Sequence, residues 1–213
     1  MNDVYRPPET QRVQITGPAG PLEAIAEIPP DNDMAHIGVI CHPHPLHGGS
    51  MNNKVVHMLG RTMQGLGAPT LRFNFRGVGA SAGTFDDGKG ETDDALAVIG
   101  WARARWAGAD LWLAGFSFGG AVALRAAATS NPARLITVAP AVTRIDPASV
   151  RMPTCPWLIV QGDLDQLVDA GAVREWAARL SPAPEIAMLS GAEHFFHGRL
   201  NDLRTIAADW LKR

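Results

Sequence analysis

Short, unbroken apolar runs separated by helix-length segments constrain this chain more than any other feature. Residues 37–41, 111–114 and 157–160 carry no polar alternation, so each suits a strand covered on both faces. Strands are also expected at 70–75, 135–139 and 185–189. Helices are expected at 51–66, 91–105, 120–128, 170–180 and 200–211. The helix at 91–105 opens with Glu91, Asp93 and Asp94 and closes with Arg103 and Arg105, the polarity that the helix dipole favours. Ahead of these elements, 12–16 and 22–28 alternate apolar and polar positions around Gly17-Pro18-Ala19-Gly20-Pro21, which predicts an antiparallel hairpin. Alternating strands and helices imply a mostly parallel sheet of about eight strands with helices on both faces. A length of 213 residues suits a single α/β domain spanning 1–213.

Charge excludes some partners. Nineteen Lys and Arg against 21 Asp and Glu leave a formal net charge of −2, with no general attraction to nucleic acid or an anionic membrane. No apolar run approaches the roughly 18 residues of a membrane span. The opening Met1-Asn2-Asp3-Val4-Tyr5-Arg6-Pro7-Pro8 lacks the apolar core of a signal peptide, so a cytoplasmic location is expected. In that compartment Cys41 and Cys155 are expected to be reduced thiols.

The pentapeptide Gly-x-Ser-x-Gly occurs twice, at Gly79-Ala80-Ser81-Ala82-Gly83 and Gly115-Phe116-Ser117-Phe118-Gly119. A nucleophilic serine in this pattern needs a strand, a sharp turn and a helix. Ser117 has both neighbours, with the apolar run 111–114 before it and the helix formers of 120–128 after it. Ser81 follows a strand but leads into Thr84-Phe85-Asp86-Asp87-Gly88-Lys89-Gly90, which is loop composition. The nucleophile candidate is therefore Ser117, and Ser81 is read as a turn residue.

A serine hydroxyl needs a base, and the base needs an orienting acid. After the run 157–160 comes Gln161-Gly162-Asp163-Leu164-Asp165-Gln166-Leu167-Val168-Asp169. Asp163 stands close to the strand end, where it would brace the turn, and Asp169 is placed to cap the next helix. Asp165, at the loop tip, is the chosen acid, with Asp163 second and Asp146 third. Of seven histidines, only His194 and His197 follow the last strand. His194, just beyond a Ser-Gly turn, is preferred. The oxyanion would be met by the backbone N–H of Phe118 and a donor from His42-Pro43-His44-Pro45-Leu46-His47-Gly48-Gly49. Prolines cannot donate, so His44 is the first donor inside that loop, with Gly48 or Gly49 as alternatives.

These motifs, together with Asn74-Phe75-Arg76-Gly77-Val78-Gly79-Ala80-Ser81-Ala82-Gly83, spread over nearly the whole chain and resemble the α/β-hydrolase superfamily, more closely its small bacterial members without a cap. The resemblance implies a Ser117, Asp165, His194 triad and assigns the Ser81 motif a structural role. The stretch 140–156 is too short for a helical cap domain, so an open, shallow site is expected. The expected activity is hydrolysis of small or short-chain carboxylic esters through an acyl-enzyme, with no cofactor; a thioesterase or peptidase of the same fold is the alternative. Phe116, Phe195 and Leu46 could line an acyl pocket or serve as ordinary packing.

Two rival motifs remain. His42, His44 and His47 have the spacing of a zinc set, but Leu46 stands where a metallo-hydrolase would carry Asp; the alternative is loop histidines that line the site mouth or hold the loop by hydrogen bonds. Gly77-x-Gly79-x-x-x-Gly83 resembles a dinucleotide fingerprint, but lacks a helix directly behind the glycines.

Overall fold

The computed structural model describes residues 6–32, 34–145 and 151–213. Eight strands form one sheet: β1 (Glu9–Gly17), β2 (Gly20–Ile28), β3 (His36–Cys41), β4 (Thr70–Phe73), β5 (Asp110–Phe116), β6 (Arg134–Val138), β7 (Trp157–Gly162) and β8 (Glu185–Leu189). Their spatial order is β1-β2-β4-β3-β5-β6-β7-β8. β1 and β2 pair antiparallel, with Gly17 opposite Gly20 across the turn, and β2 pairs antiparallel with β4. From β4 to β8 all neighbours are parallel. The strands predicted from unbroken apolar runs are the interior parallel strands, buried on both faces.

Five helices cover the sheet: α1 (Lys54–Gln64), α2 (Lys89–Arg105), α3 (Phe118–Ser130), α4 (Ala170–Ala177) and α5 (Leu200–Leu211). α1 and α5 pack on one face, where Val55, Leu59 and Met63 join Leu203, Ala207 and Trp210 over Ile40, Ala114 and Val160. α2, α3 and α4 pack on the other, around Val98, Val122, Leu124, Val173, Phe73 and Leu113. The sheet is thus sandwiched in two apolar cores, and its loops collect at the two strand ends.

Several boundaries move for local reasons. The helix expected at 51–66 begins at Lys54, because Asn53 is its N-cap and accepts the Val55 N–H through its side chain at 2.9 Å. α2 begins two residues early, at Lys89; the Glu91 carboxylate accepts the N–H groups of Asp86 (2.9 Å) and Gly88 (2.7 Å) ahead of it. α3 begins at Phe118, not 120, directly after Ser117 as N-cap. The connection from β6 to β7 holds a single 3-10 turn, Val142–Arg144, and no α-helix among its described residues. Both cysteines are free thiols, and burial pushes the Cys41 thiol pKa up.

Candidate active site

Every residue of the expected site lies at the C-terminal end of a parallel strand, all but Phe118 in a loop. Ser117 follows β5, Asp165 follows β7, His194 follows β8 and His44 follows β3. In open parallel sheets this is the edge at which ligands bind.

Ser117 sits on a turn that other residues could not easily make. Its φ and ψ are 55° and −116°, well outside the ordinary regions for a residue with a side chain. The turn is held from both sides: the Ser117 N–H donates to Val138 O (2.9 Å), while its carbonyl accepts the Gly120 N–H (2.9 Å) and the Ala141 N–H (3.2 Å). The flanking glycines are needed because the chain passes itself so closely. A Cβ at Gly115 would run into the Gly119 carbonyl, and one at Gly119 into the carbonyls of Cys41 and His42. The pattern is thus a packing requirement that seats the start of α3 against the end of β3.

A continuous chain of hydrogen bonds leads away from the hydroxyl. His194 Nε2 lies 3.1 Å from Ser117 Oγ, and Nδ1 lies 2.8 Å from Asp165 Oδ2. His194 and Asp165 are both buried. Asp165 Oδ1 accepts the N–H groups of Leu167 (2.9 Å) and Val168 (2.8 Å), and Oδ2 also accepts Gln161 Nε2 (3.1 Å). Burial alone would raise the Asp165 pKa, but the hydrogen bonds from His194 and the backbone of Val168 and Leu167 outweigh it and hold the carboxyl below its ordinary range. With the carboxylate ionised, Nδ1 carries the imidazole proton, and Nε2 is free to accept the serine O–H.

The rival acids and the second histidine do other work. Asp163 braces the β8 turn by accepting the Gly191 N–H (2.6 Å), and Asp169 caps α4 by accepting the Ala172 N–H (2.7 Å). Asp146 lies outside the described residues. His197 is exposed and paired with Glu193 at 2.8 Å.

At the other side of the serine, Phe118 is the first residue of α3 and His44 stands in the loop after β3. Their rings pack with centroids 4.9 Å apart. Neither backbone N–H has a hydrogen-bond partner among the described residues. The Gly49 N–H is already taken by His44 O (3.0 Å), which removes one of the alternative donors. Phe116 is fully buried in the core, so of the three candidate pocket residues only Leu46 and Phe195 reach the surface.

His42, His44 and His47 do not fit a zinc set. His42 is fully buried; its Nδ1 donates to Pro43 O (2.6 Å) and its Nε2 accepts the Phe75 N–H (3.0 Å), so a metal would have to displace one of them. Burial pushes its pKa down to about 4, although the Pro43 bond opposes the shift. His44 Nδ1 accepts the Leu46 N–H at 3.2 Å. Among the described residues no three His, Cys, Asp or Glu side chains form a metal-binding group.

Ser81 is locked into structure. Its Oγ donates to Asn74 O (2.7 Å) and accepts the Glu23 N–H (2.9 Å), while the Glu23 carboxylate accepts Asn74 Nδ2 (2.8 Å) and the Ala80 N–H (3.0 Å). A Cβ at Gly79, whose φ is 58°, would stand 2.5 Å from both Asn74 Nδ2 and Glu23 Oε2. This crowded turn leaves no room for the pyrophosphate that a dinucleotide fingerprint would cradle.

His42 holds the β3 loop by hydrogen bonds, as the loop-histidine reading expects, whereas the role of Gln161 as a donor to Asp165 was not read from the sequence. For Gln161 the signal was present, since it is a polar residue ending an otherwise apolar strand.

The chain is similar to known proteins over nearly its whole length. Residues 44–154, more than half of the chain, match the family described as serine aminopeptidase, S33. A crystal structure from Xanthomonas campestris, described as an α/β serine hydrolase without lid, superposes with a TM-score of 0.92 at 44% identity, covering 99% of this chain and 97% of that one. An α/β serine hydrolase homologue from Coxiella burnetii superposes with a TM-score of 0.91 at 45% identity, covering 98% and 100%. An uncharacterized protein of Rickettsia prowazekii is 34% identical over 211 residues, covering 94% of this chain and 88% of its own length. The strand order, the elbow at the end of β5 and these relatives lead to one assignment: the chain belongs to the α/β serine hydrolase superfamily and, within it, to the serine aminopeptidase, S33 family.

Proposed function

We propose that the protein hydrolyses carboxylic esters with a small or short-chain acyl group, using Ser117 as nucleophile, His194 as general base and acid, and Asp165 to orient and stabilise the imidazole. The observation that carries this reading is the unbroken Ser117–His194–Asp165 hydrogen-bond chain, 3.1 and 2.8 Å long in its two links, at the N-terminus of α3. Ser117 Oγ attacks the carbonyl carbon as His194 Nε2 takes its proton. The former carbonyl oxygen, now an anion, is met by the N–H groups of Phe118 and His44, where the positive end of α3 adds to the field. His194 returns the proton to the leaving oxygen, the alcohol departs, and Ser117 holds the acyl group. Water then repeats the sequence: His194 deprotonates it, the acid is released, and Ser117 regains its proton. No metal or redox group enters any step. The reading of a small acyl group is supported by the short β6–β7 connection, which carries no α-helix among its described residues.

The test is labelling with a fluorophosphonate and mass spectrometry of the adduct. Modification at Ser117 is expected, lost in Ser117→Ala and kept in Ser81→Ala. An active enzyme labelled at Ser81, or one that resists the reagent and loses activity to a chelator, would overturn the reading.

A further inference from the structure

Among the described residues, five large apolar side chains are exposed: Met34, Leu46, Leu164, Leu167 and Phe195. Scattered exposed leucines are ordinary on any surface, so position decides whether these matter. Met34 precedes β3, at the opposite end of the strands from the site. Three of the others lie on the two loops that carry Asp165 and His194. Leu164 and Leu167 flank Asp165, and Phe195 follows His194, with its ring edge-on to the imidazole at 5.1 Å. The Asp165–His194 contact ties their two loops together, as does the Leu164 N–H donating to Ala192 O at 3.1 Å. These side chains are 60%, 67% and 39% exposed.

The carboxylates of the same loops accept from nearby backbone N–H groups. Asp165 is occupied by Leu167 and Val168, Asp163 by Gly191, and Glu193 by the N–H groups of Phe195 (3.0 Å) and His197 (2.5 Å) and by the His197 ring. Beside the exposed Gln166 and His197, these loops offer solvent the apolar side chains of Leu164, Leu167 and Phe195. What charge 163–169 and 190–198 carry is negative, from Asp163, Asp165, Asp169 and Glu193; Arg199, which donates to Ser190 O, is paired with Asp202.

Chemistry says what meets this surface. To protonate the leaving oxygen, His194 Nε2 must come within about 2.6–3.2 Å of it. The carbonyl oxygen is held on the other side, toward Phe118 and His44. The group bonded to the leaving oxygen therefore continues past His194, over Phe195, Leu164 and Leu167. We propose that this rim is the leaving-group subsite and that it selects esters of neutral, apolar alcohols, alkyl or aryl, over those of small or anionic ones. The proposal rests on the catalytic reading of Ser117, His194 and Asp165. It adds a prediction on the thioester alternative: a polyphosphate-bearing thiol such as coenzyme A would leave across a rim that repels it.

The test is a series of n-alkyl acetates from ethyl to hexyl, which lengthens the alcohol while the acyl group and leaving-group basicity stay nearly constant. In the wild type kcat/KM is expected to rise about twofold per methylene, against about fourfold for full burial, because the rim covers one side of the chain. Acetyl-coenzyme A is expected to be cleaved more slowly than hexyl acetate. The triple variant Leu164→Ser, Leu167→Ser, Phe195→Ser should flatten the series, and Met34→Ser should leave its slope intact. A flat series in the wild type overturns the proposal, as does a slope retained in the triple variant. Fluorophosphonate labelling separates the two failures. A flat series with Ser117 labelled sinks the subsite alone, whereas no labelling at Ser117 sinks the catalytic reading with it.

Discussion

Two serines in one pentapeptide pattern differ in what their oxygens touch. Ser81 Oγ bridges the Asn74 carbonyl and the Glu23 N–H, so Ser81→Ala strands two buried backbone groups. A loss of about 1–3 kcal/mol in denaturant unfolding is expected, with kcat per folded molecule unchanged. A variant as stable as the parent would contradict that role. Asp165→Asn tests the opposite kind of residue. Asn has the same shape but no charge, and its amide can place an N–H where the His194 Nδ1–H now donates, which favours the wrong imidazole tautomer. The expected result is a fall in kcat of roughly a thousandfold to ten-thousandfold with an unaltered circular dichroism spectrum. Asp163→Asn should not do this, since Asp163 braces Gly191 instead. The choice among these acids was legible in the sequence to the extent that it follows from position: loop tip, strand end, helix start. The support by Gln161 was not, because it depends on which polar groups the folded loops bring within reach of its amide.

The elements were legible in proportion to how locally they are determined. β8 and α5 coincide with their expected spans, because an apolar run and its breakers suffice to mark them. α3 started earlier than propensity indicates, since Phe118 and Gly119 are poor helix formers. They are helical because β3 and β6 hold Ser117 in its turn, which is a tertiary effect that a local pattern does not record. β4 is shorter than the strand expected at 70–75: Asn74 still donates to Glu23 O of β2 (2.8 Å), but the Phe75 N–H is taken by the His42 ring (3.0 Å). The packing of α3 on the β3 loop carries its own prediction. In Gly119→Ala the new methyl group would collide with the carbonyls of Cys41 and His42, so the start of α3 must retreat from the loop that holds His44. The Phe118 and His44 N–H groups would then no longer meet one oxyanion. A drop in kcat/KM of roughly a hundredfold to a thousandfold is expected, comparable to losing one oxyanion donor. Slow but specific fluorophosphonate labelling at Ser117 should persist. Wild-type turnover in this variant would remove both N–H groups from the mechanism.

At the scale of the molecule, the buried titratable groups set a common response to acid. His42 is enclosed between the ends of β3 and β4, and its pKa falls from an ordinary 6.5 to about 4, chiefly through burial. His57 and the partly buried His44 are shifted down as well, burial being the largest cause in each. A histidine with a depressed native pKa binds its proton more readily when unfolded. Its stabilising contribution is therefore complete above pH 6.5 and drains away as pH falls toward the native value. For His42 alone the loss by pH 4 is about 3 kcal/mol, a large share of a typical domain's stability. Asp165 is shifted in the direction that extends the loss below pH 4, since its carboxylate is stabilised in the folded state. Protonating His42 also removes the acceptor for the Phe75 N–H, so acid is expected to loosen the junction of β3 and β4 and the loop holding His44 that starts there. Unfolding free energy from guanidinium titrations should fall steadily from pH 7 to pH 4, with net proton uptake on unfolding near pH 5 in calorimetry. Stability that stays level from pH 7 to pH 5 would mean that His42 titrates normally, and that the β3 loop is held by something other than a neutral imidazole.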